Sequence, residues 1–358
     1  MKLEKRILPS AQRRFLPTDE QKLGFGDIFT DHMFKMDYHD GQWRNPRIEP
    51  YAPLSLSPAA MGLHYGQLIF EGLKCFRRED GQLALFRPRD NFARFSRSAR
   101  QLCIPPFDEE TALAGLLELL RTDQAWVPHT PGTALYIRPF IVATEPHLGV
   151  RPAREYLFMI INSPVGPYYS EGFGPIGLYV EPEYSRAMPG GLGDVKVAGN
   201  YANSLYATEE AHKKGFTQLL WLDSAQHKYV EEVGSMNMFF VLDDEVVTSP
   251  LGGTILPGIT RDTVLTICRE WNFKTSERFL SIDEITEAQK NGRLTEAFGS
   301  GTAAVISPVG RFHYQGNDFT VGDGGIGPVT RRLYDEIVGI QYGTRPDTHG
   351  WVMLVKPE

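Results

Sequence analysis

Between Ser163 and Asp194 the regular patterning of this chain breaks down. The stretches SPVGPYYSEGFGPIG and PEYSRAMPGGLGD crowd proline, glycine and tyrosine, and only a short strand near Leu178 to Val180 interrupts them. In a chain of 358 residues, too long for most single cores, such a break predicts two domains. The expected division is a smaller N-terminal α+β domain over 1–165, a linker over 166–178 and a larger C-terminal domain over 179–358. Two α/β domains around a glycine-rich junction imply a ligand cleft between them.

Runs rich in β-branched and aromatic residues predict strands at Gly26 to Met36, Gln82 to Phe86, Ala134 to Ala143 and Tyr156 to Ile161. Asn91 to Leu102 sets Phe92, Phe95, Ala99 and Leu102 on one helical face. A second helix, Thr111 to Gln124, starts at Asp108 or Thr111. The second half predicts helices at Tyr201 to Lys214, Ile259 to Trp271 and Ile282 to Asn291, the last with Ser281 and Glu284 as a capping box. Its strands are expected at Gln218 to Leu222, Met238 to Leu242, Glu245 to Thr248 and Thr295 to Phe298, with a turn at Gly299-Ser300-Gly301.

A net charge of −7 argues against nucleic acid or an anionic membrane surface as partner. Residues 1–20 hold no signal-like apolar run, and nothing approaches the ~20 apolar residues of a membrane span. Cys75, Cys103 and Cys268 have no paired spacing and suit reduced thiols. The expectation is a soluble cytoplasmic protein.

Lys196, in GGLGDVKVAGNYANSL, has Val195, Val197, Ala198 and four glycines for neighbours. A lysine that carries a carbonyl cofactor covalently needs such an uncharged setting for its amine to be nucleophilic. A solvated strand-edge lysine is the plainer reading. Glu231 and Glu232 open the strand VEEVGSMNMFF, where a carboxylate facing a pyridine nitrogen would keep it protonated; two solvated strand-end acids are the alternative. Ile259 and Thr260 begin a helix after a glycine-rich segment and offer amides to a phosphate. Ser300, Gly301 and Thr302 offer a second glycine-hydroxyl turn, and Arg94 a fixed charge; taken alone, either turn reads as an ordinary tight connection and Arg94 as a solvated helix residue. Gly299 to Ala304 also fits GxGxxA, but too little chain follows for a doubly wound sheet. Tyr65, Tyr136, Arg138 and Tyr201 are polar groups in apolar runs, ambiguous one by one. No His/Cys/Asp cluster has metal spacing and no G-x-S-x-G elbow is present, which disfavours metal catalysis and serine hydrolysis.

Taken in order, FGDIFTDHMF, LHYGQLIFEGLK, ALYIRPF with TEPHLGV, GGLGDVKVAGNYANSL, EEVGSMNMFF, ILPGITRDTVL and FGSGTAAVISPV give a co-linear set from about Gly24 to Val338. This set resembles the long form of the branched-chain amino acid aminotransferases, fold-type IV enzymes dependent on pyridoxal 5'-phosphate (PLP). The resemblance implies that Lys196 binds PLP and shuttles the substrate proton, with Tyr201 on the phenolate oxygen and Glu232, rather than Glu231, on the pyridine nitrogen. It implies Arg94, Ile259, Thr260 and Thr302 on the phosphate. It implies a substrate pocket walled by Phe25, Tyr65, Tyr136 and Val150. Arg138 would receive the distal carboxylate of glutamate, with the amides near Ser235 and Ala303 on the α-carboxylate. It further implies a homodimer completed by a loop from the partner, and transamination of leucine, isoleucine and valine with 2-oxoglutarate.

Where some relatives carry a redox C-x-x-C, this sequence reads Ala304 and Ser307, so a thiol switch of that kind is not expected. The nearest rivals are a D-amino acid aminotransferase and an aminodeoxychorismate lyase of the same fold type. From other classes come a nucleotide-binding protein using Gly299 to Ala304 and a PLP-free binding protein on the same scaffold.

Overall fold

The structure, a computed structural model, describes residues 2–166 and 173–356. They form two compact units. The first takes the chain up to 166, Lys196–Ala198 and the chain from Gly339 onward; the second takes 173–195 and Gly199–Val338. Residues 167–172 of the expected linker lie outside the described residues, and its residues 176–178 open a strand instead. Residues from 339 onward, expected in the C-terminal domain, belong to the first unit. The cause is a short strand, Val352–Val355, whose backbone pairs with Leu83–Phe86 far earlier in the chain.

In the first unit the strands are β1 (Glu4–Lys5), β2 (His32–His39), β3 (Gln42–Pro50), β4 (Leu68–Phe70), β5 (Leu73–Arg77), β6 (Leu83–Phe86), β7 (Ala134–Ala143) and β8 (Tyr156–Val165). They pair in the order β1-β3-β2-β8-β7-β5-β6, then the C-terminal strand, with β4 added on β7. All are antiparallel except β1 with β3. The strand expected from Gly26 begins only at His32: Gly26 is left-handed, and the Asp31 carboxylate is occupied by the Arg14 N–H and the Trp126 indole.

Helices α1 (Met61–Tyr65), α2 (Pro88–Gln101) and α3 (Glu109–Thr122) accompany this sheet. The Asp108 carboxylate caps α3 by accepting from the Thr111 N–H at 3.1 Å. As the 3.6-residue period predicts, Phe92, Phe95 and Ala99 of α2 are buried. The Phe95 ring lies 5.6 Å from Phe158, itself edge-on to Phe34. α3 reaches the sheet because position 115 is glycine; a Cβ there would sit 2.4 Å from the Phe34 ring.

The second unit has β9 (Ile176–Val180), β10 (Gln218–Leu222), β11 (Val230–Val233), β12 (Met236–Leu242), β13 (Glu245–Thr248), β14 (Lys274–Glu277), β15 (Leu294–Gly301), β16 (Val305–Tyr314) and β17 (Asn317–Thr320). Pairing runs β11-β10-β9-β16-β15-β12-β13-β14, and a further β11–β12 pairing closes the first six strands into a ring. Closure removes their free edges. Leu220, Phe240 and Val309 of these strands share one buried core with Ile285 of a following helix. The helices are α4 (Ala198–Lys213), α5 (Ile259–Glu270), α6 (Ile282–Lys290) and α7 (Pro328–Tyr342). Gly299-Ser300-Gly301, expected as a turn, is instead the end of β15. Glycine is needed there because Met236 and Val233 lie about 3 Å from where the Cβ atoms would be. Among the described residues no helix is long and apolar enough to cross a membrane.

Candidate active site

Lys196 sits on a short extended segment that the first unit holds from both sides. Its N–H donates to the Ser98 hydroxyl at 2.9 Å, and its carbonyl accepts from the Phe70 N–H at 3.1 Å. Val197 bridges to Ile69. With its backbone fixed between α2 and β4, the side chain places Nζ 5.0 Å from the centre of the Phe70 ring. The Arg138 guanidinium stacks over that ring at 4.7 Å and also donates to the Tyr136 hydroxyl at 3.1 Å. Phe25 packs against Tyr136 with centroids 4.8 Å apart. Gly72 makes room, since a Cβ there would lie 2.1 Å from the Tyr136 oxygen. Lys196, Phe25, Tyr136 and Arg138 are thus gathered around Phe70, a residue the sequence reading missed.

Arg94, read from the sequence as a fixed charge for a phosphate or as a solvated helix residue, is 4% exposed and gripped by Glu71. Its Nε and Nη2 donate to the two Glu71 oxygens at 2.8 and 2.6 Å. Burial pushes the Glu71 carboxyl up, but Arg94, together with Lys196 and the Gly72 N–H, outweighs it and holds the carboxyl below its ordinary value. The pair is neutral as a whole, so Arg94 presents aligned donors rather than a bare charge. Glu71 stood in the motif LHYGQLIFEGLK without a role. An acid in an otherwise apolar run was the available signal.

Tyr65 and Val150 stand apart from this cluster. Tyr65 is 41% exposed and its hydroxyl donates to the Leu148 carbonyl. Val150, in the loop between β7 and β8, is 84% exposed.

In the second unit the Glu232 carboxylate is 3% exposed. It is ion-paired with Arg186 Nε at 2.7 Å and accepts from Asn237 Nδ2 and the Leu256 N–H, each at 3.1 Å. Arg186 is held in turn by the Gly193 and Thr254 carbonyls. Glu232 and Asn237 face each other across the β11–β12 hairpin, whose Gly234-Ser235 turn leaves Ser235 exposed. Glu231 is also buried; desolvation raises its pKa against the pull of Thr254 and Arg186. Arg186 and Asn237 were likewise missed: Arg186 lies 46 positions from Glu232, and Asn237, five positions away, meets it only through the register of the hairpin.

Ile259 and Thr260 form the first turn of α5, whose N-cap Gly258 supplies no side-chain acceptor. A Cβ at 258 would lie 1.9 Å from Asn237 Oδ1, so the helix start fits only glycine. Thr302 and Ala303 lie in the turn between β15 and β16. Beside them the Ser300 hydroxyl is buried without a partner, and Val305 adopts φ +63°. A left-handed β-branched residue is strained by ~1–3 kcal/mol and marks a shape the surroundings enforce. Tyr201 is half-buried in the first turns of α4. A buried and supported carboxylate, an uncapped helix start and an orphaned hydroxyl form a donor and acceptor set that fits a phosphorylated pyridine. In the first unit, the lysine beside an aromatic ring suits a carbonyl group.

Residues 68–312 match the family profile described as "Amino-transferase class IV". The chain belongs to the class IV aminotransferases. Within them it is 52% identical to branched-chain-amino-acid aminotransferase 2 of Bacillus subtilis, over 94% of this chain and 93% of that one. It is 50% identical to branched-chain-amino-acid transaminase 1 of the same organism, over 94% and 95%. Among solved structures it is similar to the branched-chain amino acid aminotransferase of Escherichia coli, with a TM-score of 0.76 at 27% identity, over 91% of this chain and 99% of that one. The T.th. branched-chain amino acid aminotransferase, solved with pyridoxamine 5'-phosphate, gives 0.75 at 28% identity, over 90% and 98%. The mixed α/β architecture of both units is therefore the class IV aminotransferase fold, and the nucleotide-binding reading of Gly299 to Ala304 falls because that stretch closes the β15–β16 hairpin instead of opening a helix.

Proposed function

We propose that this aminotransferase carries PLP on Lys196 and moves amino groups between L-leucine, L-isoleucine or L-valine and 2-oxoglutarate. The observation that carries the reading is Lys196 itself, fixed at both backbone groups with its amine beside Phe70. When bound, PLP supplies an electron sink that makes the substrate's α-proton acidic. With PLP bound, Lys196 would be the base that takes and returns the substrate's Cα proton. Glu232, steadied by Arg186 and Asn237, accepts the proton-bearing ring nitrogen, and Tyr201 donates to the phenolate oxygen. Arg94, the amides of Ile259 and Thr260 and the Thr302 hydroxyl hold the phosphate. Phe25 and Tyr136 exclude water from an aliphatic side chain, and Arg138 receives the second carboxylate when glutamate occupies the site. The amides near Ser235 and Ala303 take the α-carboxylate.

The working unit proposed is a homodimer in which the exposed loop bearing Leu148 and Val150 walls the pocket of the partner. Their exposure, 64% and 84%, supports this. A cytoplasmic setting is proposed from the three free cysteines; Cys75 and Cys268 are buried, which pushes their thiols up to about 12.

An absorbance spectrum of the PLP-loaded protein tests the reading. A visible band that bleaches with L-leucine and returns with 2-oxoglutarate establishes both half-reactions. A band indifferent to leucine moves the substrate to that of a D-amino acid aminotransferase or aminodeoxychorismate lyase. No band at all removes Lys196 and the function with it.

A further inference from the structure

The first unit's sheet ends in two free edges, β1 and the C-terminal strand, and both line one cavity of about 970 Å3. That volume lies at the upper end of the range for small-ligand sites. Its lining shares no residue with those assigned to transamination.

Its charge is opposite to that of the chain. Lys5, Arg13, Arg77, Arg121 and Lys356 face two acids, Glu118 and Asp80, in a protein whose net charge is −7. Glu118 is already shared, 2.5 Å from Lys5 and 3.1 Å from Arg121. Arg77 donates to the carbonyls of Gln124 and Val127, which fixes its guanidinium without neutralising it. Among the described residues no carboxylate lies within ion-pair distance of Arg77, Arg13 or Lys356. The protein thus holds a surplus of positive charge against a concave wall whose free strand edges add backbone donors.

We propose that this cavity binds a small polyanion, with carboxylate or phosphate groups engaging Arg77, Arg13 and Lys356. Arg77 is the fixed anchor, and the two exposed cations at the rim close on the ligand. A single negative charge leaves the surplus uncompensated, so affinity rises with the number of charges on the ligand.

Calorimetric titration of the PLP-saturated enzyme with citrate and, separately, pyrophosphate at constant ionic strength tests this. Saturable binding of either is expected, and which one binds identifies the source of the anionic groups. Arg13→Gln with Lys356→Gln should weaken it at least about tenfold. Gln82→Glu, which adds an acid to the same wall, should weaken it as well. Equal affinity in wild type and these variants would assign the heat to another site and overturn the proposal, as would the absence of saturation with both anions.

Discussion

Each unit carries one buried arginine–carboxylate pair at its candidate site, and the two are built for opposite ends. In the first, both Glu71 oxygens are spent on Arg94, so the carboxylate orients the cation. In the second, Arg186, Asn237 and the Leu256 N–H all converge on Glu232, so the cation and the amides orient the carboxylate. The same two residue types yield a presented donor in one place and a presented acceptor in the other. What decides the role is the count of partners on each side, since buried pairs by themselves add little to stability.

The sharpest test of this contrast lies beside the first pair. Lys196→Ala should abolish turnover and the visible PLP band together, read by assay and spectrum. Glu232→Gln can keep the hydrogen bonds that Oε1 accepts from Asn237 and the Leu256 N–H, but it sets an amide NH2 against Arg186 and removes the charge. PLP should stay bound while turnover falls about 10²–10³-fold; near-normal rates would falsify the acceptor role. Arg186→Met strands Glu232 without its cation, and about 3–5 kcal/mol of unfolding free energy should be lost in a denaturant titration. Glu71→Gln should cost less, about 1.5–3 kcal/mol, and weaken PLP binding through a misaligned Arg94.

That last variant also has a pH signature. The folded Glu71 carboxyl lies below its unfolded value, so its contribution is complete above the ordinary carboxylate range and disappears as pH falls through the folded pKa. Glu71→Gln should therefore flatten the acid limb of stability against pH. The smallest effect belongs to Ala304→Cys, which with Ser307 unchanged should leave activity equal under oxidising and reducing conditions.

Local physics was legible in the sequence. The period of α2, the Asp108 and Ser281 caps and strand β10 all follow from neighbours within a few residues. Three features were not. Ser300 lies in a strand because it pairs with Asn237 and Ile306 of two other strands. Glu71 and Arg186 gain their meaning from partners 23 and 46 positions away, which no spacing rule reaches. Val150 was placed in the pocket by resemblance, and in its own chain it is 84% exposed.

The C-terminal strand has a kinetic consequence. Leu83 pairs with Val355, so the β6 edge stays open until nearly all of the chain described here has left the ribosome. Closing so large a loop carries an entropic cost that local helices never meet. The N-terminal unit therefore finishes folding after the unit encoded downstream of it, and during synthesis its exposed strand is the segment a chaperone would have most reason to guard.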